Sequence, residues 1–399
     1  MEYRSMRKLF HDPSSDESAE YESRFDDPRT VKLDLEISGF PAFVYMAPEV
    51  YEAAIAASRI DKEILTLELR LPGKALESYS ERLLVDEIVL TNEIESVNST
   101  RREIGDTLER LRKNDRRGRF AGIVQKYMML SSAKNVPLGS CADVRSLYDD
   151  LVLDEVIAEK PENAPDGKLF RAGEVHVFGN GSVPIHSGVE PESRIIDMLD
   201  VALDFLNDDK VPLLVRIGAF HFAFGYIHPF YDGNGRTNRF ISSYMLSTEY
   251  EPMSALVLSY AVKESIDRYY KAYTVCEHPL NKGDITPFVI TFSEIIVDAM
   301  TRLRDSLVER EKVFGDYLDI ILPAVPEESR RVAEAFLTAT LFSFDGVTVA
   351  ELVDTFGKSR QTIYKRMEPM KEMGWVRASH VGRQTYYKLD LDVVDAECL

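Results

Sequence analysis

Apolar positions recur every three to four residues along most of the chain, which is the spacing of an amphipathic helix. The pattern is clear over residues 51–71 and 76–94, and Pro72-Gly73 separates these two stretches. It returns after residue 192 and predicts helices over residues 195–206, 212–226, 237–246, 262–273 and 287–310. The periodicity therefore predicts a mainly helical fold.

One segment departs from this period. Residues 171–188 contain GEVHVF, then GNGS, then VPIHSG, and Asn-Gly in the middle is a strong turn signal between two short strands. The segment predicts a β-hairpin. One hairpin in a helical chain leaves the fold class mainly α.

The chain ends in a different pattern. After the proline-containing stretch at residues 322–326, the pattern predicts three short helices and two strands with Gly382 between them. This order is that of a winged helix-turn-helix. We predict a flexible tail over residues 1–30, a helical region over 31–130, a catalytic core over 131–310 and the winged helix domain over 311–399.

Composition and charge narrow the classes of function. The 399 residues carry a formal net charge of −19, and 45% of them are hydrophobic. This excludes disorder of the whole chain, and it argues against a surface that coats nucleic acid or anionic membrane. Residues 346–388 are the exception, with eight Lys or Arg against four Asp or Glu. A nucleic-acid surface, if the protein has one, is therefore confined to that region.

The remaining sequence signals concern the compartment. The three cysteines, Cys141, Cys276 and Cys398, are far apart and form neither a disulfide framework nor a metal-ligand spacing. No run of 18 apolar residues and no secretory leader is visible. We expect a soluble cytoplasmic protein with no membrane partner.

Residues 228–239, HPFYDGNGRTNR, carry the most chemical information. The glycines let the backbone approach an anion, and Arg236 and Arg239 add phosphate donors at the start of a helix. Asp232 beside such a cradle suggests a bridging Mg²⁺, and His228 can act as a general base near neutral pH. Together these residues predict phosphoryl or nucleotidyl transfer from a Mg-nucleotide.

The segment resembles the signature of the Fic family, His-x-Phe-x-Asp/Glu-Gly-Asn-Gly-Arg-x-x-Arg, and it matches every fixed position. The resemblance extends over roughly residues 60–300. It implies a Fic-type helical core with a hairpin flap. It also implies a protein adenylyltransferase that moves AMP from Mg-ATP to a Tyr, Thr or Ser hydroxyl of a target protein, the chain itself included.

The resemblance also implies individual roles. His228 would be the catalytic base and Asp232 the Mg²⁺ ligand. The ATP-binding residues would be Gly233 and Gly235 through their backbone N–H groups, Asn234 at the α-phosphate, Arg236 at the β-phosphate and Arg239 at the γ-phosphate. Tyr269 or Tyr270 would line the nucleoside pocket, unless they are packed helix aromatics.

Thr91–Ser96 resembles the inhibitory motif of the same family, Ser/Thr-x-x-x-Glu-Gly/Asn. The resemblance implies that Glu95 pairs with Arg239, so that Arg239 cannot hold the γ-phosphate. Ser96 stands where Gly or Asn is usual, which bears on how the helix ends. In some relatives this glutamate also helps water remove AMP, so deAMPylation is a secondary hypothesis.

The basic region supplies an alternative function. The predicted DNA-contacting residues are Arg360, Gln361, Thr362, Lys365 and Arg366 on the second helix of the helix-turn-helix, and Arg383 at the wing. Such domains also mediate protein contacts or dimerisation. The alternative reading is a DNA-binding regulator whose Fic domain senses nucleotide or is inactive. The sequence leaves open a homodimer, and a donor other than ATP, such as another nucleotide or phosphocholine.

Overall fold

The computed structural model describes residues 3–132, 134–178, 184–381 and 384–398. The chain forms two compact units, residues 1–61 with 85–301 and residues 62–84 with 302–399. Most described residues are helical, and the few strands form small antiparallel sheets. The predicted mainly helical class is confirmed. No helix in these ranges combines the length and the apolar character needed to cross a membrane.

The helices of the first unit are mostly short. They are Met6–Phe10, Glu17–Phe25, Arg101–Arg112, Ala121–Tyr127, Cys141–Tyr148, Asp154–Glu159, Glu192–Leu206, Leu213–Ile227, Asn234–Ser247, Pro252–Ala255, Leu258–Glu264 and Ile266–Cys276. A π-helical turn, Asp149–Leu153, and 3-10 turns at Pro161–Asn163 and Pro279–Asn281 join some of them. Three longer helices, Pro48–Glu68, Gly73–Ile94 and Thr286–Ala324, contribute residues to both units.

The helix Leu213–Ile227 is the centre of the first unit. Thirteen of its fifteen residues are buried, and apolar residues surround its axis on all sides, as expected for a helix inside a core. The hairpin predicted over residues 171–188 is present as the strands His176–Phe178 and Pro184–Ser187. Its Asn-Gly turn lies outside the described residues. The helix and the hairpin together frame the motif loop.

The prediction that residues 31–130 are helical was wrong at their start. Thr30–Ile37 and Phe40–Tyr45 form an antiparallel hairpin. In the first strand Leu33, Leu35 and Ile37 are buried and alternate with exposed charged residues, which is a period of two. Ser38 and Gly39 both have positive φ, 51° and 82°, which is the geometry of a tight two-residue hairpin turn. A search for the helical period misses this alternation because the strand is short and three of its eight residues are charged.

Residues 3–29 also differ from the predicted flexible tail. They form two helices, and Met6 is fully buried. The Tyr3 hydroxyl donates to Asp284 at 2.8 Å, and the Arg24 guanidinium lies 3.6 Å from the same buried carboxylate. Two residues of the predicted tail, Tyr3 and Arg24, are therefore partners of a buried acid that only the folded chain brings near them.

The second unit contains the predicted C-terminal elements. Its helices are Arg330–Phe342, Val349–Phe356, Arg360–Glu372 and Leu391–Cys398, its strands are Val347–Thr348, Val376–Val381 and Gln384–Leu389, and a 3-10 turn spans Glu327–Ser329. Gln384–Leu389 is the central strand of the sheet and pairs with both others. The elements follow one another in the predicted order.

The boundary of this unit differs from the prediction of residue 311. The unit begins at residue 302 and includes residues 62–84. The Tyr79 hydroxyl lies 3.0 Å from Ser306 Oγ, and the Arg304 guanidinium lies 2.6 Å from Glu63. These contacts are long-range along the chain, whereas Pro323 only marks the end of a helix that continues to Ala324. Proline punctuation therefore located a helix end and not a domain boundary.

Candidate active site

The buried helix Leu213–Ile227 delivers His228 to the site. His228 follows the helix in the left-handed conformation, with φ 52° and ψ 63°, and its N–H donates to Phe224 O at 2.9 Å. Pro229 cannot continue the helix because it has no N–H. The chain therefore turns sharply at His228.

Phe230 anchors the loop that follows. Its buried ring stacks on Tyr148 with centroids 3.6 Å apart and meets Phe170 edge-on at 5.4 Å. The Asn234 amide binds the Phe230 backbone twice, accepting from its N–H at 2.9 Å and donating to its carbonyl at 2.8 Å. Asn234 thus holds the loop in shape, whereas the sequence predicted that it contacts the α-phosphate. That contact stays a prediction.

Gly235 leaves space for an anion at the start of the helix Asn234–Ser247. A Cβ on Gly235 would lie 1.9 Å from Glu95 Oε1, so only glycine admits a carboxylate there. Gly233, which has φ 79°, has its own constraint, because a Cβ would lie 2.9 Å from Val152. A helix N-terminus stabilises negative charge through its unpaired N–H groups. The Glu95 carboxylate lies at this helix N-terminus, where the sequence predicts an anion cradle.

Arg239 is held by the predicted inhibitory motif. Its Nη2 donates to Glu95 Oε1 at 2.8 Å and to Thr91 O at 3.0 Å, and its Nε donates to Thr91 Oγ1 at 2.7 Å. Only 2% of its side chain is exposed. The neighbouring negative charge of Glu95 raises the pKa of Arg239 against the effect of burial. The structure thus brings together the residues that the two motifs predict, although 144 positions separate Glu95 from Arg239.

Ser96 ends the helix Gly73–Ile94 in the way that a glycine usually does. Its φ is 59°, the Ser96 N–H donates to Glu93 O at 3.0 Å, and the Val97 N–H donates to Asn92 O at 2.8 Å. These two bonds define a Schellman motif, in which the residue after the cap is left-handed. Glu95 is therefore the C-cap residue itself, and its side chain leaves the last turn toward Arg239.

Glu87 is a second acid on the same helix face, and the sequence analysis did not predict it as a site residue. Its buried carboxylate accepts from Ser259 N at 2.8 and 2.9 Å and from Ser259 Oγ at 2.6 Å. Burial raises the pKa of Glu87 to about 7. Glu87, Thr91 and Glu95 are spaced by four, so one side of the helix points to the site. The spacing could have indicated that Glu87 points to the site. Its role as a buried acceptor depends on Ser259, which is distant in sequence.

Arg236 also has a carboxylate partner that the sequence did not indicate. Its Nη1 donates to Glu155 Oε2 at 3.2 Å, and its Nη2 lies 3.7 Å from Asp232 Oδ1. Burial raises the pKa of Glu155 to about 7. No local pattern marks Glu155, which lies 81 residues earlier in the chain. Both arginines of the motif are therefore buried and paired with acids.

A cleft of about 1280 Å³ opens on the side of Arg236. Its walls are formed by residues 96–98, 116–122 and 149–155, with Glu159 at one edge. The lining includes arginines, among them Arg116 and Arg119, as well as acids, among them Asp149 and Asp154. Arg236 of the predicted cradle belongs to the lining of this cleft, whereas His228 and Asp232 do not.

Asp232 fits the role of a Mg²⁺ ligand. Its side chain is 37% exposed, unlike the buried arginine beside it, and no cluster of three or more acidic, His or Cys side chains suited to a metal occurs among the described residues. Mg²⁺ usually takes one or two carboxylates and completes its shell with waters and substrate phosphates. A single half-exposed carboxylate next to a phosphate cradle matches that requirement.

The two tyrosines of the predicted nucleoside pocket are in different environments. Tyr269 is buried, and its hydroxyl lies 2.7 Å from His221 Nε2, within a polar contact inside the core. Tyr270 is 45% exposed, and the charge of Glu95 contributes to raising its pKa. Tyr269 is therefore the packed aromatic, and Tyr270 remains a candidate for a nucleoside contact.

His228 sits beside the hairpin. Its ring centroid lies 6.3 Å from that of His186 on the strand Pro184–Ser187. Burial, and secondly the charge of His186, lower the pKa of His228 to about 4. An imidazole that is neutral at neutral pH can accept a proton, which is what a general base must do.

The predicted DNA-contacting side chains lie on the helix Arg360–Glu372. Ser359 caps it by accepting from Thr362 N at 3.2 Å. The opposite face, formed by Ile363, Met367 and Met370, is buried. Arg360, Gln361 and Lys365 are exposed, Thr362 and Arg366 are half-buried, and Arg383 lies outside the described residues.

Comparison with known proteins identifies the central domain. Residues 141–246 match the family model described as "Fic/DOC family", and this chain therefore contains a Fic domain. The protein adenylyltransferase fic-1 of Caenorhabditis elegans is 25% identical over 156 residues, which are 38% of this chain and 28% of that protein. The matched region thus spans less than a third of that relative.

Two solved structures are similar in fold. A Fic family protein from Desulfovibrio desulfuricans is 20% identical, with 86% of this chain and 96% of that chain covered and a TM-score of 0.49. A Fic domain containing signaling protein from Bacteroides thetaiotaomicron is 15% identical, with 64% and 97% covered and a TM-score of 0.46.

Proposed function

We propose that this protein is a protein adenylyltransferase that Glu95 holds in an inhibited state. The observation that carries the proposal is the position of the Glu95 carboxylate, which pairs with Arg239 at 2.8 Å and occupies the space above Gly235. A phosphate of ATP requires the same guanidinium and the same backbone N–H groups. Carboxylate and phosphate therefore compete for one site.

The residues of the site suit the transfer reaction. His228, neutral in this environment, takes the proton of a target hydroxyl while the hydroxyl oxygen bonds to the α-phosphorus of ATP. The bond from the α-phosphorus to the bridging oxygen breaks, and pyrophosphate leaves. Arg236 and Arg239 stabilise the charge on the departing phosphates. Mg²⁺ held by Asp232 would neutralise phosphate charge when bound.

Competition between Glu95 and ATP for Arg239 explains how the inhibition would act. Pairing a buried guanidinium with Glu95 satisfies its charge, so ATP must displace the carboxylate before the γ-phosphate gains the contact. We propose that Glu95→Gly increases AMP transfer, self-modification included. DeAMPylation, with Glu95 assisting water, is part of this proposal as a secondary activity.

The test uses ATP labelled at the α-phosphorus and target protein from a lysate. We expect Glu95→Gly to raise incorporation at least about tenfold, since about 1.4 kcal/mol corresponds to a factor of ten. Glu93→Gly is the matched control, because Glu93 lies on the same turn and pairs with Lys263 instead. The double variant Glu95→Gly, His228→Ala should incorporate nothing.

Parallel reactions with the other nucleoside triphosphates and with a phosphocholine donor decide the donor. If protein is labelled only by one of these donors, that donor replaces ATP in the proposal. Equal incorporation by Glu95→Gly, Glu93→Gly and the unchanged protein would contradict inhibition by Glu95. Absence of incorporation from every donor would remove the transferase.

The C-terminal unit supports a second candidate function. Its helices and strands follow the order of a winged helix, and Arg360, Gln361 and Lys365 are exposed on the second helix of the pair. We propose that this surface binds DNA, with protein contact or homodimerisation as the alternative. A gel shift with salt titration tests it, because phosphate contacts weaken steeply with salt.

A further inference from the structure

Two side chains outside the motif surround the backbone and ring of His228. Arg171 precedes the hairpin, and His186 lies on its second strand, Pro184–Ser187. Neither contributes to the signature at residues 228–239. Both make contacts that converge on the end of the helix Leu213–Ile227.

Arg171 binds backbone carbonyls with its whole guanidinium. Its Nε donates to His228 O at 2.8 Å, its Nη1 to Gly173 O at 2.7 Å, and its Nη2 to Val189 O at 2.7 Å and Ile227 O at 3.3 Å. The side chain is buried. One rigid fork therefore joins the left-handed residue to both ends of the hairpin.

His186 makes a second connection between the hairpin and the site. Its Nε2 lies 2.8 Å from the carbonyl oxygen of Tyr226, and its Nδ1 lies 3.2 Å from Glu277 Oε2. A carbonyl and an ionised carboxylate are both acceptors, so only the imidazolium form donates to both at once. The two ring nitrogens of His186 thus connect the hairpin with the end of the helix Leu213–Ile227 and with Glu277.

The contact between hairpin and site leaves no spare volume. A Cβ on Gly188 would lie 2.4 Å from Arg171 Nη2 and 3.1 Å from His228 Cβ. The end of the hairpin therefore packs directly against the side chain of the proposed base. A displacement of Arg171 would move His228 as well.

We propose that Arg171 and His186 are positioning residues that hold His228 in its left-handed conformation and set the electrostatic environment of its imidazole. The catalytic consequence rests on the proposed transferase function, but the effect on His228 does not. Neither residue is expected to touch the reacting atoms.

The charges around His228 agree with this role. Burial is the largest cause of its lowered pKa, the positive charges of His186 and Arg171 lower the pKa further, and Glu95 from the inhibitory helix raises it. Glu277 faces His186, and the charge of Glu190, like the hydroxyl of Tyr231, acts on Arg171. The charges that lower the pKa of His228 thus come from the hairpin side, and the charge that raises it comes from the inhibitory helix.

The first experiment measures His228 directly. Histidine labelled at ¹³Cε1 allows its titration to be followed by NMR, and His228→Gln assigns the signal. We expect a pKa near 4 in the unchanged protein and an increase of about one unit in His186→Gln, because a charge at about 6 Å has an effect of this size. His176→Gln is the control, since His176 lies on the other strand and contacts Ser187.

Arg171 is tested by two replacements. Arg171→Met should raise the pKa of His228 by a similar amount, and Arg171→Lys should keep the charge while losing the fork. If Arg171→Met does not fold, as judged by circular dichroism, His186→Gln decides the electrostatic part. An unchanged His228 titration in His186→Gln and in a folded Arg171→Met overturns the proposal.

Activity separates this proposal from the transferase itself. In the Glu95→Gly background we expect His186→Gln to shift the acid limb of the pH–rate profile upward by about one unit. Arg171→Lys should lower kcat with little change in KM for ATP. Shifted titrations without any transfer would leave positioning intact and remove the transferase. AMP transfer with an unchanged His228 titration and an unchanged acid limb would support the transferase and overturn the positioning role.

Discussion

The arginines of the segment 228–239 are buried, whereas Arg360 of the helix Arg360–Glu372 is exposed to solvent. Arg236 and Arg239 have 2% of their side chains exposed and bind Glu155 and Glu95. Arg360 is exposed at the start of its helix. A buried guanidinium needs acceptors at defined positions, which are carboxylates for Arg236 and Arg239, whereas an exposed guanidinium acts through a screened field. The same residue type is therefore part of a built site in one region and of a surface in the other.

The largest test of this contrast compares two truncations. Arg239→Met leaves Glu95 and the Thr91 carbonyl without their partner, and we expect it to lower the free energy of unfolding by about 3–5 kcal/mol. Arg360→Met should change it by less than about 0.5 kcal/mol. Urea titrations followed by circular dichroism measure both. Equal losses would contradict the contrast.

The pH dependence of stability extends the contrast to carboxylates. Burial raises the pKa of Glu87 from 4.5 to about 7, so the folded state binds a proton that the unfolded state releases between these values. Stability from this group is therefore full below about pH 4.5 and declines as pH rises toward 7, by at most about 3 kcal/mol. Glu87→Gln should remove this decline in unfolding titrations.

Glu368→Gln is the matched control for that experiment, because Glu368 is exposed on the helix Arg360–Glu372. It should leave the pH dependence as it is. The same slope in both variants as in the unchanged protein would show that the Glu87 carboxylate is not the group responsible.

The exposed side of the comparison predicts a salt effect. Replacing Arg360 and Lys365 by Gln should weaken DNA binding about tenfold and reduce the salt slope of log affinity by about two, roughly one for each phosphate contact. AMP transfer should stay the same. Binding that is insensitive to salt and to both replacements would favour a protein-contact role for this surface.

The smallest predicted effect concerns the end of the inhibitory helix. Ser96→Gly relieves a positive φ of 59° and should stabilise the fold by about 1 kcal/mol, with transfer reduced about fivefold because Glu95 is held better. Ser38→Gly is the control. It relieves a φ of 51° in the hairpin turn but removes the hydrogen bond from Ser38 Oγ to Glu277 O, and it should leave transfer unchanged. A faster Ser96→Gly enzyme would contradict the brake geometry.

Local patterns predicted the parts of the fold that depend on near neighbours. The helix Gly73–Ile94 and the hairpin at His176–Phe178 follow from period and turn residues, and the structure has both. The strand Thr30–Ile37 was missed because its charged residues suggested solvent, although its alternation was visible. Tyr3 and Arg24 were assigned to a tail because their partner, Asp284, is some 260 to 280 residues away.

The proposed chemistry of the site was predicted from residues 228–239, because one turn and the start of one helix contain the proposed base, metal ligand and phosphate donors. The partners of those residues came from elsewhere. Glu155 on Arg236, Ser259 on Glu87 and Arg171 on His228 are joined only by the folding of distant segments. Spacing along a chain records contacts within a few residues, whereas the counter-charge of a buried group depends on which helices pack together. The composition of the anion cradle is thus local, and the protonation, pairing and restraint of its side chains are set by tertiary packing.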